Sequence, residues 1–396
     1  MGDKSAFVGG MKLKISELGK VITGNTPSKK IKEFWDKDDV GFVKPDIISD
    51  EHIVKIKSED CNEFISNAAI SKARIVPKNS IFVTCIGNIG KIGVATENLA
   101  FNQQINAIIP NENVNLDYLC YAIFANKTRL QDIANAPIVP LLNKSQFSEF
   151  ELEFDMDINT QTRIVHELNT VSNIILKYKQ ELLLLDELVR ARFVEMFGTI
   201  RENSHNYPRV TLKEVCHKIT DGKHGGCKQE DNSGYYYVGA REIYDGKIHY
   251  DTAPQITYDD FSKDYRRCNL EKGDMVIVNT GATIGKSAIA SSHLTEKTLL
   301  QKSVALIKVN SDIIIAEFLR YCYMVNPSMY MVKSASAQPN LLLSKMNSTI
   351  VYLPPIDLQR QFASFVEEID KSRSRIQKSL EASQELFDSL MQEYFG

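Results

Sequence analysis

The sequence predicts an α+β protein: two tandem, similar domains separated by two long antiparallel helices that form a coiled coil, with internal pseudo-two-fold symmetry. Three observations carry this expectation. The chain of 396 residues repeats at an offset of half its length, since "ELVRARFVEMFG" ends at Gly198 and "ELFDSLMQEYFG" ends at Gly396. A seam of apolar residues at heptad spacing precedes each of those ends. The remainder of each half mixes short β-type apolar runs with one or two helical stretches.

The repeat covers most of each half and is far too long for a solenoid unit. "KISELGKVITG" (14–24) resembles "TLKEVCHKITDG" (211–222), and "IFVTCIGNIGK" (81–91) resembles "VIVNTGATIGK" (276–286). "NQQINAIIP" (102–110) corresponds to "LQKSVALIK" (300–308), and "LDYLCYAIF" (116–124) to "IAEFLRYCYM" (315–324). "DINTQTRIV" (157–165) corresponds to "PIDLQRQFA" (355–363). The domains are expected at 11–156 and 208–356, and the long helices at 157–199 and 357–396.

In the first helix Ile164, Leu168, Val171, Ile175, Tyr178, Leu182, Leu185 and Val189 follow one another at alternating steps of four and three. That seam lasts about four heptads, and Gly198 is a suitable stop. The same positions in the second helix are Phe362, Val366, Ile369, Arg373, Ile376, Leu380, Ser383 and Phe387. Arg373 either sets register or reaches off the edge of the seam. Each helix spans ~60 Å at 1.5 Å per residue. Two such helices in one chain most simply pair with each other and hold two domains a fixed distance apart. A spacer between two similar domains points to a ligand with two similar sites.

Strands are expected at Ile81–Thr84, Ile105–Ile109, Tyr235–Val238, Met275–Val278 and Val304–Val309, and shorter helices at Leu116–Phe124 and Ile314–Val325. "NTGATIGKS" (279–287) nearly spells a phosphate-binding loop. That loop needs a glycine at position 280, where Thr280 stands, and four residues between its glycines. The first-half copy follows its lysine with Ile92 and offers no hydroxyl for magnesium. A repeated structural turn is the better account, with Gly90 and Gly285 at positive φ or at a close backbone approach.

Composition narrows the class. Hydrophobic content of 43% allows real cores, and no apolar run approaches the ~18 residues of a membrane span. Residues Met1–Gly10 are polar and glycine-rich, lack a secretory apolar region, and are expected to be a leader without function. Seven cysteines, with no C-x-x-C pair, fit reduced thiols and a cytoplasmic protein. Cys216, His217, His224 and Cys227 have zinc-ligand types without zinc spacing, so no metal site is expected. Residues 11–155 hold 17 basic and 19 acidic residues, and 201–356 hold 19 and 16, which is modest for a nucleic-acid binder acting alone. Local basic clusters remain at Lys29-Lys30-x-Lys32, at Lys223 to Lys228, and at Lys263 with Arg266-Arg267. A subunit sharing its contact with basic partners needs less charge of its own.

The tandem halves, "ITGNTPSKK" (22–30), the turns at Gly87–Lys91 and Gly281–Lys286, "NQQ" (102–104), "QPNLLLSK" (338–345), "LPPIDLQRQFASFVEEID" (353–370) and the helical tails together resemble the specificity subunits of type I DNA restriction–modification systems. The resemblance runs from about Met11 to Gly396; the first copy of the helix start, "EFDMDINTQTRIV", lacks both prolines. It implies that each domain is a target-recognition domain reading one half of a bipartite double-stranded DNA target. It implies that the helices set the spacer and dock two modification (methyltransferase) subunits, and that restriction subunits join to make the nuclease. The chain itself would be non-catalytic and without cofactor, with S-adenosylmethionine, ATP and Mg on partner subunits and no membrane partner. Half-sites in successive major grooves lie ~34 Å apart, a distance on the scale of the helices.

Reading bases and holding phosphates requires hydrogen-bonding and basic side chains. In one half these are Asn25, Lys29, Lys30, Lys44, Asn88, Lys91, Gln103 and Gln104. In the other they are Lys223, His224, Lys228, Arg241, Lys286, Gln301 and Lys302. Helix pairing falls to Ile164, Leu168, Val171, Ile175, Leu182, Leu185, Val366, Ile369, Ile376, Leu380 and Phe387. An amino-methyltransferase motif is lacking: the nearest string, "NPSM" (326–329), has neither the second proline nor the aromatic residue. The alternatives are a coiled-coil scaffold without sequence-specific readout and a nucleotide-binding enzyme using Gly281–Ser287.

Overall fold

A computed structural model describes residues 10–134, 139–329 and 340–396. The expected leader, apart from Gly10, and the start of "QPNLLLSK" lie outside the described residues. Contacts divide the chain into two units: Met1–Lys179 with Lys378–Gly396, and Gln180–Gln377. Each unit combines the globular part of one half with a segment of each of two 40-residue helices, Ile158–Phe197 and Ile356–Phe395.

In the first unit a five-stranded sheet has the order Gly19–Thr23, Ile105–Pro110, Ile81–Thr84, Ile92–Ala95, Val54–Ile56. Its pairs are antiparallel except the last. A second sheet centres on Val40–Val43, which lies parallel to Leu99–Phe101. Ile81, Phe82 and Val83 have no exposed surface, because residues of alternate parity face different clusters. Both faces of the strand are covered, which explains an unbroken apolar run instead of an alternating one. Met11–Lys14 pairs antiparallel with Glu151–Phe154 and closes the domain just before the first long helix.

The second unit repeats this plan with fewer strands. Cys216–Asp221, Val304–Val309, Met275–Val278 and Ser287–Ile289 form one antiparallel sheet. Tyr236–Val238 lies parallel to Thr298–Leu300. Arg209–Thr211 with Ile350–Tyr352 closes the domain before the second long helix. The two expected shorter helices run Leu116–Ala125 and Ala316–Val325. The second starts two residues later than its apolar pattern suggests, because Ile315 is an extended N-cap. The observed strand pairs also correct the repeat: Ile105 occupies the place of Val304 and Thr84 that of Val278, each one residue from the sequence alignment. A slip of one residue exchanges strand faces, so hydrogen bonds fix the correspondence where apolar content does not.

The first long helix starts without prolines because Asp157 caps it. Its carboxylate accepts from the Thr160 amide at 3.1 Å and the Thr160 hydroxyl at 2.7 Å. Gly198, at φ 72°, ends it as expected.

Seam residues are buried most where a globular domain joins the packing. Ile164 and Leu168 have no exposed surface and share a cluster with Tyr118, Met391 and Tyr394. Val171 and Ile175 are nearly buried. In the second unit Phe193, Phe197 and Phe362 form an aromatic cluster with Phe318, beside Val366 and the partly buried Ile369. Leu182, Leu185, Ile376, Leu380 and Phe387 are half-buried. The seam's outer parts are therefore three-element cores in which a short domain helix takes part. Within each unit the two helix segments run antiparallel. Arg163 and Glu167 meet Tyr394, while Asn169 and Ser172 share a cavity wall with Gln384 and Phe387. Asp186 meets Arg373 at 2.6 Å, while Phe197 meets Phe362. Arg373 thus stays at the seam on Asp186 and Asp370.

Candidate nucleic-acid interface

The strand registers bring every expected DNA-contacting residue to one end of the sheets in its own unit. In the first unit Thr23, Val43, Thr84 and Phe101 end strands at the edge where Ile92 and Ile105 begin theirs. The loops leaving that edge carry Asn25, Lys29 and Lys30, then Lys44, then Asn88 and Lys91, then Gln103 and Gln104. In the second unit Asp221, Val238, Val278 and Leu300 end strands where Ser287 and Val304 begin theirs. Those loops carry Lys223, His224 and Lys228, then Arg241, then Lys286, then Gln301 and Lys302.

The two turns share one hydrogen-bond pattern. The Thr84 amide donates to Lys91 O at 3.1 Å and the Gly90 amide to Thr84 O at 3.0 Å. The Val278 amide donates to Lys286 O at 2.8 Å and the Gly285 amide to Val278 O at 2.9 Å. Gly90 and Gly285 sit at φ 88° and 89°, the left-handed region that admits glycine most readily. After Lys286 the chain continues as a strand, Ser287–Ile289, pairing back on Met275–Val278. A phosphate-binding loop instead opens a helix, so "NTGATIGKS" is a hairpin turn.

The neighbouring loops match as well. The Gly24 and Gly222 amides donate to Ile105 O and Val304 O, and the Asn25 and Lys223 amides to Phe101 O and Leu300 O. Asn25 therefore occupies the place of Lys223. The Thr26 hydroxyl donates to Gln103 Oε1 at 2.7 Å, which joins two of the loops. Gln104 is turned inward, accepting from Asn102 Nδ2 at 2.9 Å.

Acidic neighbours that the sequence pattern did not single out hold several of the cations. Lys29, at 3.0 Å, and Lys44 converge on Glu63. Burial works to raise the Glu63 carboxyl, but hydrogen bonds from Lys44 and Lys29 outweigh it and hold it below the ordinary glutamate value. Lys223 is mostly buried and pairs with Asp264 at 2.7 Å; donating a hydrogen bond to that carboxylate raises its pKa. Asp221 takes both Arg267 and, at 2.9 Å, His224. Burial raises the Asp221 carboxyl, and these two hydrogen bonds bring it below the ordinary aspartate value. Lys91 is half-buried, with its ammonium 3.4 Å from Pro45 O. Lys30, Arg241, Lys286 and Lys302 are exposed and take no ion pair among the described residues. Lys228 is exposed, with its amide held by Asp260 at 2.7 Å. Asn88 is exposed and lies beside Asp50. Gln301 is half-buried, with its amide on Val238 O.

Cys216 lies in a strand and burial pushes its thiol up to about 12, while His224 is exposed. Among the described residues no three His, Cys, Asp or Glu side chains are grouped to hold a metal ion.

Sequence reasoning also missed a duplicated glutamine. Gln161 and Gln359 are the fourth residues of the two long helices and have no exposed surface. Gln161 Oε1 accepts from the Asn115 amide at 2.8 Å and its Nε2 donates to Asp155 O at 2.6 Å. Gln359 Oε1 accepts from the Ile315 amide at 2.9 Å, and its Nε2 donates to Pro354 O at 2.9 Å and Ile313 O at 3.2 Å. The available signal was the recurrence of glutamine in "DINTQTRIV" and "PIDLQRQFA".

A family model described as the type I restriction modification DNA specificity domain matches residues 9–184 and again 205–384. The chain belongs to that family. The MjaIX specificity subunit of Methanocaldococcus jannaschii is 25% identical over 402 residues, covering 96% of this chain and 90% of that relative. The HindI specificity subunit of Haemophilus influenzae is 34% identical over 142 residues, covering 35% of this chain and 30% of the relative. The crystal structure of a Mycoplasma genitalium type I S subunit matches the whole chain with a TM-score of 0.61 at 16% identity, and 98% of that structure is covered. The fold is therefore that of a specificity subunit, and the chain supplies DNA sequence specificity to a type I restriction–modification system. Methylation and cleavage reside in other subunits of such systems. No helix among the described residues is long and apolar enough to cross a membrane.

Proposed function

We propose that residues 11–156 and 208–356 are two target-recognition domains, each reading one half of a bipartite double-stranded DNA target. The support is the gathering, in each unit, of all the recognition loops at one sheet end around the same lysine-bearing turn. Exposed Lys30, Arg241, Lys286 and Lys302 serve phosphates. Asn25, Asn88, Gln103 and Gln301 have the donor–acceptor chemistry of base readers. Lys29, Lys44, Lys223 and His224 are held by carboxylates and supply positioned rather than free charge.

The long helices, 157–199 and 357–396, pair along their seams as an antiparallel coiled coil, relate the two halves by a pseudo-two-fold axis, and set the spacer between half-sites. Leu183, Leu184 and Leu188 are exposed on the first of them, at 65%, 52% and 47%. Exposed apolar residues so close together favour a protein partner. That partner is the pair of modification subunits, which carry S-adenosylmethionine, and restriction subunits with ATP and Mg complete the complex in the cytoplasm.

Exchanging residues 208–356 for the equivalent domain of a relative tests the reading. One half-site should change and the other remain. A change in both, or in neither, contradicts it.

A further inference from the structure

The buried glutamines at the starts of the long helices tie each helix to its domain at the same place. Gln161 links the first turn of its helix to the Asn115 amide, at the N-cap of the Leu116–Ala125 helix, and to Asp155 O, just past the closing strand. Gln359 does the same with Ile315, the N-cap of the Ala316–Val325 helix, and with Pro354 O beyond its own closing strand. The short helix is also the element that packs on the long-helix segments. Tyr118 lies against Phe395 and the Tyr121 hydroxyl donates to Asn169 at 2.7 Å. Phe318 and Tyr321 lie against Phe193.

The chemistry explains why glutamine stands at both places. Two backbone groups of opposite polarity, an N–H and a C=O, lie buried on either side of the helix start. A neutral amide on a two-methylene stem reaches both, donating with one end and accepting with the other. Glutamate would set an acceptor against a carbonyl, and an apolar side chain would leave both backbone groups unpaired. Neither amide has any exposed surface, so its bonds are made to protein groups, and Gln359 adds a third, to Ile313 O at 3.2 Å. Apolar contacts around them are non-directional and resist tilting weakly, whereas these hydrogen bonds fix the angle of domain on helix.

We infer that Gln161 and Gln359 are positioning residues for spacer selection: they fix the pitch of each recognition domain on its helix, and thereby the number of base pairs accepted between the half-sites. The inference rests on the bipartite reading above. Neither glutamine reaches the sheet end that carries the recognition loops, so the bases preferred within each half-site do not depend on them.

The test is selection of bound sequences from random double-stranded DNA by the complex with its modification subunits, comparing wild type with Gln161→Met, Gln359→Met and the double variant. Methionine keeps the volume and removes the side-chain hydrogen bonds, two at Gln161 and three at Gln359. The wild type should select two half-sites at one spacer length. The double variant should select the same half-site bases over a spacer range at least one base pair wider, with the single variants between. An unchanged spacer distribution in an assembled double variant overturns the inference. Altered half-site bases overturn it too, because they place the glutamines in readout. If the methionine variants do not assemble, Gln161→Asn and Gln359→Asn replace them, with amides one methylene too short for both partners, and the same two outcomes decide. A wild type that selects one uninterrupted site overturns the bipartite reading, and this inference with it.

Discussion

Lys91 and Lys286 leave turns with the same hydrogen bonds and the same glycine conformation, yet their side chains differ. Lys91 is half-buried with its ammonium toward Pro45 O, while Lys286 is exposed and has no ion pair among the described residues. The same divergence recurs at the next loop, where Asn25 and Lys223 hold equivalent backbone positions. Asn25 donates to Lys72 O, and Lys223 is neutralised by Asp264. Backbone bonds are shared and side-chain partners are not. A duplicated scaffold with divergent tips is what reading two different half-sites from one plan requires. The cores diverge more mildly: Phe362 packs its ring among Phe193, Phe197 and Tyr321, where the first half has the aliphatic Ile164 in a cluster with Tyr118.

The largest expected effect falls on that core contrast. Phe362→Ala should destabilise the protein by about 3–5 kcal/mol, because a fully buried ring is lost from a packed aromatic cluster. Ile164→Ala should cost about 2–4 kcal/mol, less than Phe362→Ala. Denaturant melts of the two variants check the order, and an equal or larger loss at Ile164 would erase the difference claimed between the two cores.

Next come the turn lysines. Lys286→Ala should weaken binding to all sequences about equally and lower the slope of log affinity against log salt by ~1. Lys91→Ala should change that slope less, because its ammonium already has a carbonyl partner. Titrations at several salt concentrations measure both. A slope unaffected by Lys286→Ala would mean that this lysine only covers the strand beneath it.

The smallest effect concerns Glu63, which holds Lys29 and Lys44. Its carboxyl titrates below the ordinary value of 4.5 in the folded protein. Its contribution to stability is therefore present above the ordinary value and lost as pH falls through the lower, folded one. Partly exposed pairs of this kind contribute up to about 1 kcal/mol. Melting temperatures of wild type and Glu63→Gln should converge as pH drops from 6 to 3.5, and a constant gap would show that the pair adds nothing dependent on its charge.

Much of this plan was legible because it rests on periodicity. The Met275–Val278 and Val304–Val309 strands fall where their apolar runs place them, and the 40-residue helices follow from heptad spacing without internal proline or glycine. The positive φ at Gly90 and Gly285 followed from the repeat. What stayed hidden depends on residues far apart in sequence. Glu63 meets Lys29 across 34 residues, and Asp264 meets Lys223 across 41, so no local pattern announces that these cations are neutralised. The one-residue offset of the repeated strands was hidden because an apolar run buried on both faces aligns equally well in either register. Gln161 and Gln359 read as ordinary polar residues of a helix start until their backbone partners were placed.

Methylation records whether the chain chooses DNA by two separate half-sites. Mapping methylated positions in the DNA of cells that carry the modification subunits, with and without this chain, measures that directly. Methylation at a bipartite sequence with one fixed spacer, present only with the chain, is the predicted result. Methylation that is unchanged without it, or that falls at an uninterrupted sequence, would contradict the account.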